Sequence, residues 1–252
     1  MSRKRPAESD HFNVGMQLLR FLVRSPRSLG VSEIAEKMGI AVSSAHDMLR
    51  VLGELGFVAK DESSRCYRAS PQFFELVHDF ANEFGATRKL RNALDELSQK
   101  YDASIYLGTL WGHQSIIIAA AGSLGATHAL GASGPAYTTA IGRAIISQMN
   151  EDEWSDYAPE NGETLSPDTS IQDADDFRKA LLDIREKGVA WNIGKTGATV
   201  SVAAPIIQLD QSCTYGVAFI FAEADWIPHR RTHYAQTIRK CAEILSDRLV
   251  LH

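Results

Sequence analysis

The stretch SSAHDMLRVLGELG, residues 43–56, decides how the first third of the chain is read. Three side chains familiar from hydrolases, Ser44, His46 and Asp47, stand within one helical turn of each other. At about 100° per residue, Ala45, Met48, Leu49, Leu52 and Leu55 gather on one side of a helix. Ser43, His46, Asp47, Arg50 and Glu54 gather on the other. A catalytic triad needs three groups converging on one point, whereas near neighbours on one helix diverge. The stretch is therefore predicted to be a two-faced helix that packs one side and can read a partner with the other.

The flanking residues complete an order of elements. Val14, Leu18, Phe21 and Leu22 recur at helical spacing, and SPRSLG from Ser25 ends that run with proline and glycine. VSEIAEKMG from Val31 follows as a short helix, with Ser32, Glu33 and Glu36 early in it and Gly39 at its stop. After Gly56, FVAKDESSRCYRAS holds two short β-prone pieces around the polar tip DESSR, which predicts a hairpin. Helix, helix, turn, helix, hairpin is the order of a winged helix-turn-helix.

Charge separates this segment from the rest. Residues 1–70 hold 11 Lys and Arg against 8 Asp and Glu, whereas residues 71–252 hold 15 against 23. The first segment can meet a polyanion; the remainder would be repelled by one. The basic tail Arg3, Lys4, Arg5 and the hairpin residues Arg65 and Arg68 add donors for phosphates. The 252 residues suffice for two modest domains or one large one. Cys66, Cys213 and Cys241 form no CxxC pair and no even framework, as expected of ordinary thiols in a reducing compartment. No apolar run approaches the roughly 20 residues of a membrane helix, and the N-terminus lacks an apolar signal core, so the expected location is the cytoplasm.

Beyond residue 70, Phe73, Leu76, Val77, Phe80 and Phe84, then Leu90, Leu94, Leu97 and Tyr101, predict two helices with a bend near Gly85. Their apolar length calls for a partner chain or a neighbouring domain. Strands are expected over 103–110, 114–121, 200–207 and 215–221, and helices over 138–149, 174–187 and 229–249. The mixture predicts an α+β domain with an antiparallel sheet, and domain limits at 1–70, 71–101 and 102–252.

Catalytic and metal chemistry find little support. His229 and His233 have the spacing that lets two imidazoles share a metal, yet neither the glutamate of HExxH nor a third ligand accompanies them. They read more simply as polar residues of a first helical turn beside Arg230 and Arg231. The glycines of GSLGATHALGASG, from Gly122, fit neither GxxxxGKS nor GxGxxG and suit loops that bound a pocket. No cofactor, no metal and no enzymatic activity is expected, because no nucleophile, base and orienting group converge.

Residues 31–70, VSEIAEKMGIAVSSAHDMLRVLGELGFVAKDESSRCYRAS, resemble the helix-turn-helix and wing of the isocitrate-lyase-regulator (IclR) family of bacterial transcription factors. PAYTTAIGRAIIS from Pro135, DDFRKALLDIREKGVAWN from Asp175 and VSVAAPI from Val200 resemble family segments of the C-terminal domain. The resemblance implies a winged helix, a linker helix used for dimerisation, and a GAF-like domain that binds a small effector. It also implies dimers or dimers of dimers on a pseudo-palindromic DNA operator, with the effector biasing the spacing of the DNA-binding heads. Carried onto this chain, the DNA-facing residues are Arg3, Lys4, Arg5, Ser32, Ser43, Ser44, His46, Asp47, Arg50 and Arg65. The effector wall is Ala120, Tyr137, Ala140, Ile141, Gly142, Asn192, Ser201, Phe219 and Phe221.

Two departures from the family pattern matter. Asp47 stands where an arginine is frequent, and a carboxylate repels phosphate although it can accept from a cytosine amino group. Members that hold small keto acids resemble one another in a more polar wall, with an acidic residue near Asn192 and serines near the two phenylalanines. The apolar and aromatic wall here implies a larger hydrophobic or aromatic effector, with Asn192 or Ser201 giving a hydrogen bond; alternatively the two phenylalanines simply fill core. Two competing readings are an enzyme whose N-terminal helices serve assembly, and a ligand-sensing module that signals through protein contacts.

Overall fold

The computed structural model describes residues 8–61, 63–73, 75–76, 88–122, 130–159, 171, 173–193, 199–208 and 210–248. It divides into two compact units, Met1–Ala81 and Asn82–His252.

The first unit contains helices α1 (Glu8–Arg24), α2 (Val31–Met38) and α3 (Val42–Glu54), and a hairpin of β1 (Val58–Lys60) and β2 (Tyr67–Ala69). Gly39 ends α2 at φ 65°, where a side chain would be strained, and its N–H reaches the carbonyls of Ala35 and Glu36. The hairpin pairs Val58 with Ala69 and Lys60 with Tyr67. Leu29, between α1 and α2, exchanges two backbone hydrogen bonds with Tyr67, at 2.9 and 2.8 Å, so the wing is laced to the α1–α2 connection. Leu18 and Leu22 of α1, Ile34 of α2, Leu49 and Leu52 of α3 and Val58 of β1 close a single core. A fully buried leucine of this kind contributes about 1.5–3 kcal/mol.

One residue leaves its expected face. Leu55 is 59% exposed, because α3 ends at Glu54 and the chain turns at Gly56 with φ 80°. The helical wheel was extended one residue past the helix.

The second unit is built on a six-stranded antiparallel sheet. Its strands are β3 (Ile105–Trp111), β4 (Gln114–Ala121), β5 (Ser133–Pro135), β6 (Ala190–Ile193), β7 (Thr199–Ile206) and β8 (Tyr215–Ala222), in the order β5-β4-β3-β8-β7-β6. Helices α4 (Arg88–Tyr101) and α7 (Arg231–Arg248) cover one face. Helices α5 (Ala140–Ile146) and α6 (Ala174–Lys187) cover the other. The two-residue period of the strands sorts the side chains: Ile105, Leu107, Val217, Phe219 and Phe221 face α4 and α7, while Tyr106, Ala218 and Ile220 face α5 and α6.

The four expected strands and the helix over 174–187 lie where periodicity placed them, within two residues. The helix expected over 138–149 is the shorter α5, preceded by a 3-10 turn at Ala136–Thr138. Two edge strands, β5 and β6, were not anticipated; three or four residues carry too little alternation to register. The predicted bend near Gly85 and the apolar residues Val77, Phe80 and Phe84 lie outside the described residues. Leu90, Leu94 and Leu97 of α4 are buried in this unit's own core, so that half of the stretch is covered by the sheet and α7.

Side-chain staples hold the α5 layer. The Arg185 guanidinium donates to the carbonyls of Ser147 (2.6 Å) and Met149 (2.5 Å), pairs with Glu151 (3.3 Å) and lies 4.5 Å from the Trp154 ring. Trp154 Nε1 donates to the Ile146 carbonyl at 2.8 Å. Among the described residues no helix is long and apolar enough to cross a membrane.

Candidate DNA interface and effector site

The DNA-facing candidates among the described residues fall on α2, α3 and the hairpin of the first unit. On α3, Ala45 and Leu49 are buried while Ser43, His46, Asp47 and Arg50 are exposed and Ser44 is half-buried. Ser44, His46 and Asp47 follow one another along this single helix. Arg50 is paired with Glu54 at 2.7 Å, one turn along the same helix. Exposed pairs of this kind contribute only a few tenths of a kcal/mol, so the guanidinium can exchange Glu54 for a phosphate or base at little cost. Ser32 is exposed on α2. Beside it Glu33 accepts from Arg27 at 2.6 Å and from Lys37 at 3.4 Å, and the Arg27 hydrogen bond holds its carboxyl below the usual range.

The wing tip is ordered by one carboxylate. Asp61 accepts from the Ser63 hydroxyl (2.5 Å) and from the N–H groups of Ser63 (2.8 Å) and Ser64 (3.0 Å), which pull its pKa down to about 2. That turn leaves Arg65 exposed at φ 54°, in the left-handed region that favours glycine. Arg68 and Lys60 are exposed on the two strands. Lys60 was not singled out from the sequence, although outward alternation along β1 would have found it. Arg3, Lys4 and Arg5 lie outside the described residues.

In the second unit, two cross-strand rows lie on the α5 side of the sheet. Ala120, Tyr106, Ala218, Ala203 and Ala190 form one, four alanines and a tyrosine across five strands. Ile220, Ser201 and Asn192 form the next. Thr139 caps α5 by accepting from the Gly142 N–H at 2.9 Å and shares a 2.8 Å hydrogen bond with Ser115. Gly142 is required there, since a Cβ would fall 2.2 Å from the Ala136 carbonyl oxygen. Ile141 drops into the notch left by Gly108 and Gly216, and with Ala140 it is core. Tyr137 and Ala120, packed against that core, are half-buried, as are Asn192 and Ser201.

Phe219 and Phe221 do not join this group. They flank Ile220 on β8, so strand alternation turns them to the opposite face, against α4 and α7. Phe219 is 1% exposed and lies 6.3 Å from the Tyr101 ring; Phe221 lies 4.6 Å from Tyr234 and 6.1 Å from Trp226. The two phenylalanines fill core, and an effector wall that includes them is corrected. Ile220 and Ala218 are the β8 residues that face the α5 side, where Tyr106 and Tyr137 are among the aromatic groups.

A residue that sequence reasoning missed sits behind Asn192. The Arg143 side chain, on α5, is 5% exposed; Nη2 donates to the Trp191 carbonyl at 2.6 Å and to Asn192 Oδ1 at 3.0 Å. Burial lowers its pKa to about 10, which leaves it cationic at neutral pH. Its position next to Gly142 gave no hint of burial, because short helices show no clear period.

Residues 13–62 match the family model of the IclR helix-turn-helix domain, and residues 80–247 match that of the bacterial transcriptional regulator IclR C-terminal domain. The chain belongs to the IclR family. It is similar to the glycerol operon regulatory protein of Streptomyces coelicolor, 28% identical over 75% of each chain. The fold is that of a crystallised IclR regulator from Alicyclobacillus acidocaldarius, with TM-score 0.77 and 20% identity over 96% of this chain and 99% of that one. It is also that of an IclR homologue from Microbacterium hydrocarbonoxydans solved with 4-hydroxybenzoate, with TM-score 0.73 and 12% identity over 95% and 98%.

As an IclR protein the chain is a DNA-binding transcriptional regulator with an effector-binding C-terminal domain, and not an enzyme. Burial pushes the Cys213 and Cys241 thiols up to about 12, far from the reactive thiolate. His229 falls in the 3-10 turn Pro228–Arg230 and His233 in the first turn of α7, both exposed, and no group of three metal-ligating side chains converges among the described residues.

Proposed function

We propose that the exposed face of α3 enters the DNA major groove, with Ser43, Ser44, His46, Asp47 and Arg50 toward the bases and adjacent phosphates. The observation that carries this is the division of α3 into a buried apolar side and an exposed polar one. A wing bearing Lys60, Arg65 and Arg68 lies on the same unit. An arginine kept at φ 54° where glycine is cheaper supports a phosphate contact by Arg65. Arg3, Lys4, Arg5 and Ser32 add backbone contacts in this reading. Domain limits at 1–70, 71–101 and 102–252 go with it, as do a cytoplasmic location and a dimer or dimer of dimers. Two heads then sit a helical turn or a multiple apart on a pseudo-palindrome.

Asp47 cannot hold a phosphate, but it can accept from a cytosine amino group. Asp47→Ala is therefore expected to change sequence preference by roughly 1–3 kcal/mol at one base pair while leaving affinity for scrambled DNA nearly unchanged. Competition binding at one fixed salt concentration checks this; equal losses on both duplexes would remove Asp47 from base reading.

The effector site in this reading is the α5 side of the sheet. Half-buried Ile220 and Tyr137 give apolar contact, and half-buried Asn192 and Ser201 supply hydrogen bonds. A hydrophobic or aromatic effector fits that lining, and the 4-hydroxybenzoate held by the Microbacterium homologue supports it. In a thermal-shift screen, an aromatic ligand at about 100 times its Kd should add about 2.7 kcal/mol and weaken or strengthen operator binding. Tight calorimetric binding of glyoxylate or pyruvate, with no response to any aromatic acid or phenol, would reject this effector class.

A further inference from the structure

The guanidinium of Arg143 is a buried cation without a counter-ion among the described residues. Two neutral oxygens, the Trp191 carbonyl and Asn192 Oδ1, both engage Nη2, and the fully buried Nε has no hydrogen-bond partner among the described residues. Arg185, in the same layer, shows how this chain satisfies an arginine: Nε and Nη2 reach carbonyls, and Nη1 pairs with Glu151. Removing a charge from water costs several kcal/mol unless an opposite charge and hydrogen bonds offset it. At Arg143 that offset is missing among the described residues, and a donor is left over.

We infer that Arg143 is the seat for the carboxylate of an acidic effector. The inference rests on the effector-site reading above and adds a charge to it. Of the two oxygens on Nη2, the Trp191 carbonyl is fixed in β6, whereas Asn192 Oδ1 belongs to a half-buried side chain that can turn. An incoming carboxylate displaces Oδ1, takes the guanidinium in a charge-assisted pair and can accept from the Asn192 amide as well. The planar fork of arginine suits a carboxylate, which a neutral amide or a phenol cannot imitate. Half-buried Ile220, in the same cross-strand row as Asn192 and Ser201, meets the apolar remainder of the molecule.

The test uses the full-length protein with sodium benzoate and benzamide as probes, at constant ionic strength and pH 7.5, read by thermal shift and calorimetry. Benzoate should raise the Tm of the wild type, and benzamide should not. Arg143→Gln should weaken benzoate binding by about 30-fold or more, the loss that follows when one partner of a desolvated charge pair is removed. Asn192→Asp guards against an unfolded Arg143 variant. It puts a carboxylate where an oxygen already lies 3.0 Å from the guanidinium, so it should raise the Tm of the free protein and abolish the benzoate response. No benzoate response in the wild type, equal responses to benzoate and benzamide, or an Asn192→Asp protein that answers benzoate like the wild type would each overturn the inference. A wild type that binds phenol but not benzoate overturns it while sparing the effector-site reading. The expected benzoate pattern with no compound altering operator affinity upholds the seat and removes the regulatory reading.

Discussion

Leu49→Ala is expected to abolish DNA binding without touching a DNA-facing group. Leu49 is 1% exposed and joins α3 to a core containing Leu18, Leu22, Ile34 and Val58. Truncating such a leucine costs about 2–5 kcal/mol, the transfer of the lost methyl groups plus the cavity left behind. A unit as small as this one has little more than that in total, since small domains bury a lower fraction of their surface. The variant should therefore lose α3 as a rigid element. The sequence supplies a clean readout: Trp111, Trp154, Trp191 and Trp226 all lie in the second unit. Far-UV circular dichroism should show part of the helix signal melting at least about 10 °C earlier, while the tryptophan fluorescence transition holds. Wild-type operator affinity in this variant would mean that α3 does not pack as described.

Gly142→Ala should have a comparable effect on the other unit. Its added Cβ would meet the Ala136 carbonyl oxygen at 2.2 Å and the Ala136 Cα at 2.7 Å, backbone atoms that cannot swing aside. All seven residues of α5 are buried, so relief by shifting the helix would lift Ile141 out of its notch. A cost of about 3 kcal/mol or more follows, near the upper end for overpacking, and a fall of roughly 6–12 °C in the tryptophan transition. Gly216→Ala is the control. Its nearest contact is an Ile141 side-chain methyl at 3.2 Å, which can yield by a few tenths of an ångström. Similar losses in the two variants would show that the α5 approach to Ala136 is looser than the structure has it.

The first unit was legible because its signals are local. A glycine stop at Gly39, an apolar stripe along α3 and a polar hairpin tip each follow from a few consecutive residues. The long strands of the second unit were legible for the same reason. The grouping of the proposed effector wall was not, and the failure has one physical cause. A family resemblance assigns residues by position, whereas a strand assigns them to faces by parity. Phe219 and Phe221 were placed with Ser201 and Asn192, yet the register pairs Ser201 with Ile220. Arg143 was invisible for a related reason. Its burial comes from the edge strand β6 folding beside α5, a long-range contact of which the local sequence carries no trace.

Binding of selected and scrambled duplexes at one physiological salt concentration tests the central claim, that the exposed face of α3 reads DNA, most directly. The operator is first selected from a random duplex pool with the wild-type protein, and a His46→Ala/Arg50→Ala variant is then compared on both duplexes. The wild type should prefer its operator by about 1,000-fold or more. The variant should lose about 10- to 100-fold of that preference, with its fluorescence and circular dichroism melts unchanged. A variant that keeps the full preference, or a wild type that shifts no duplex even at low salt, would contradict the account.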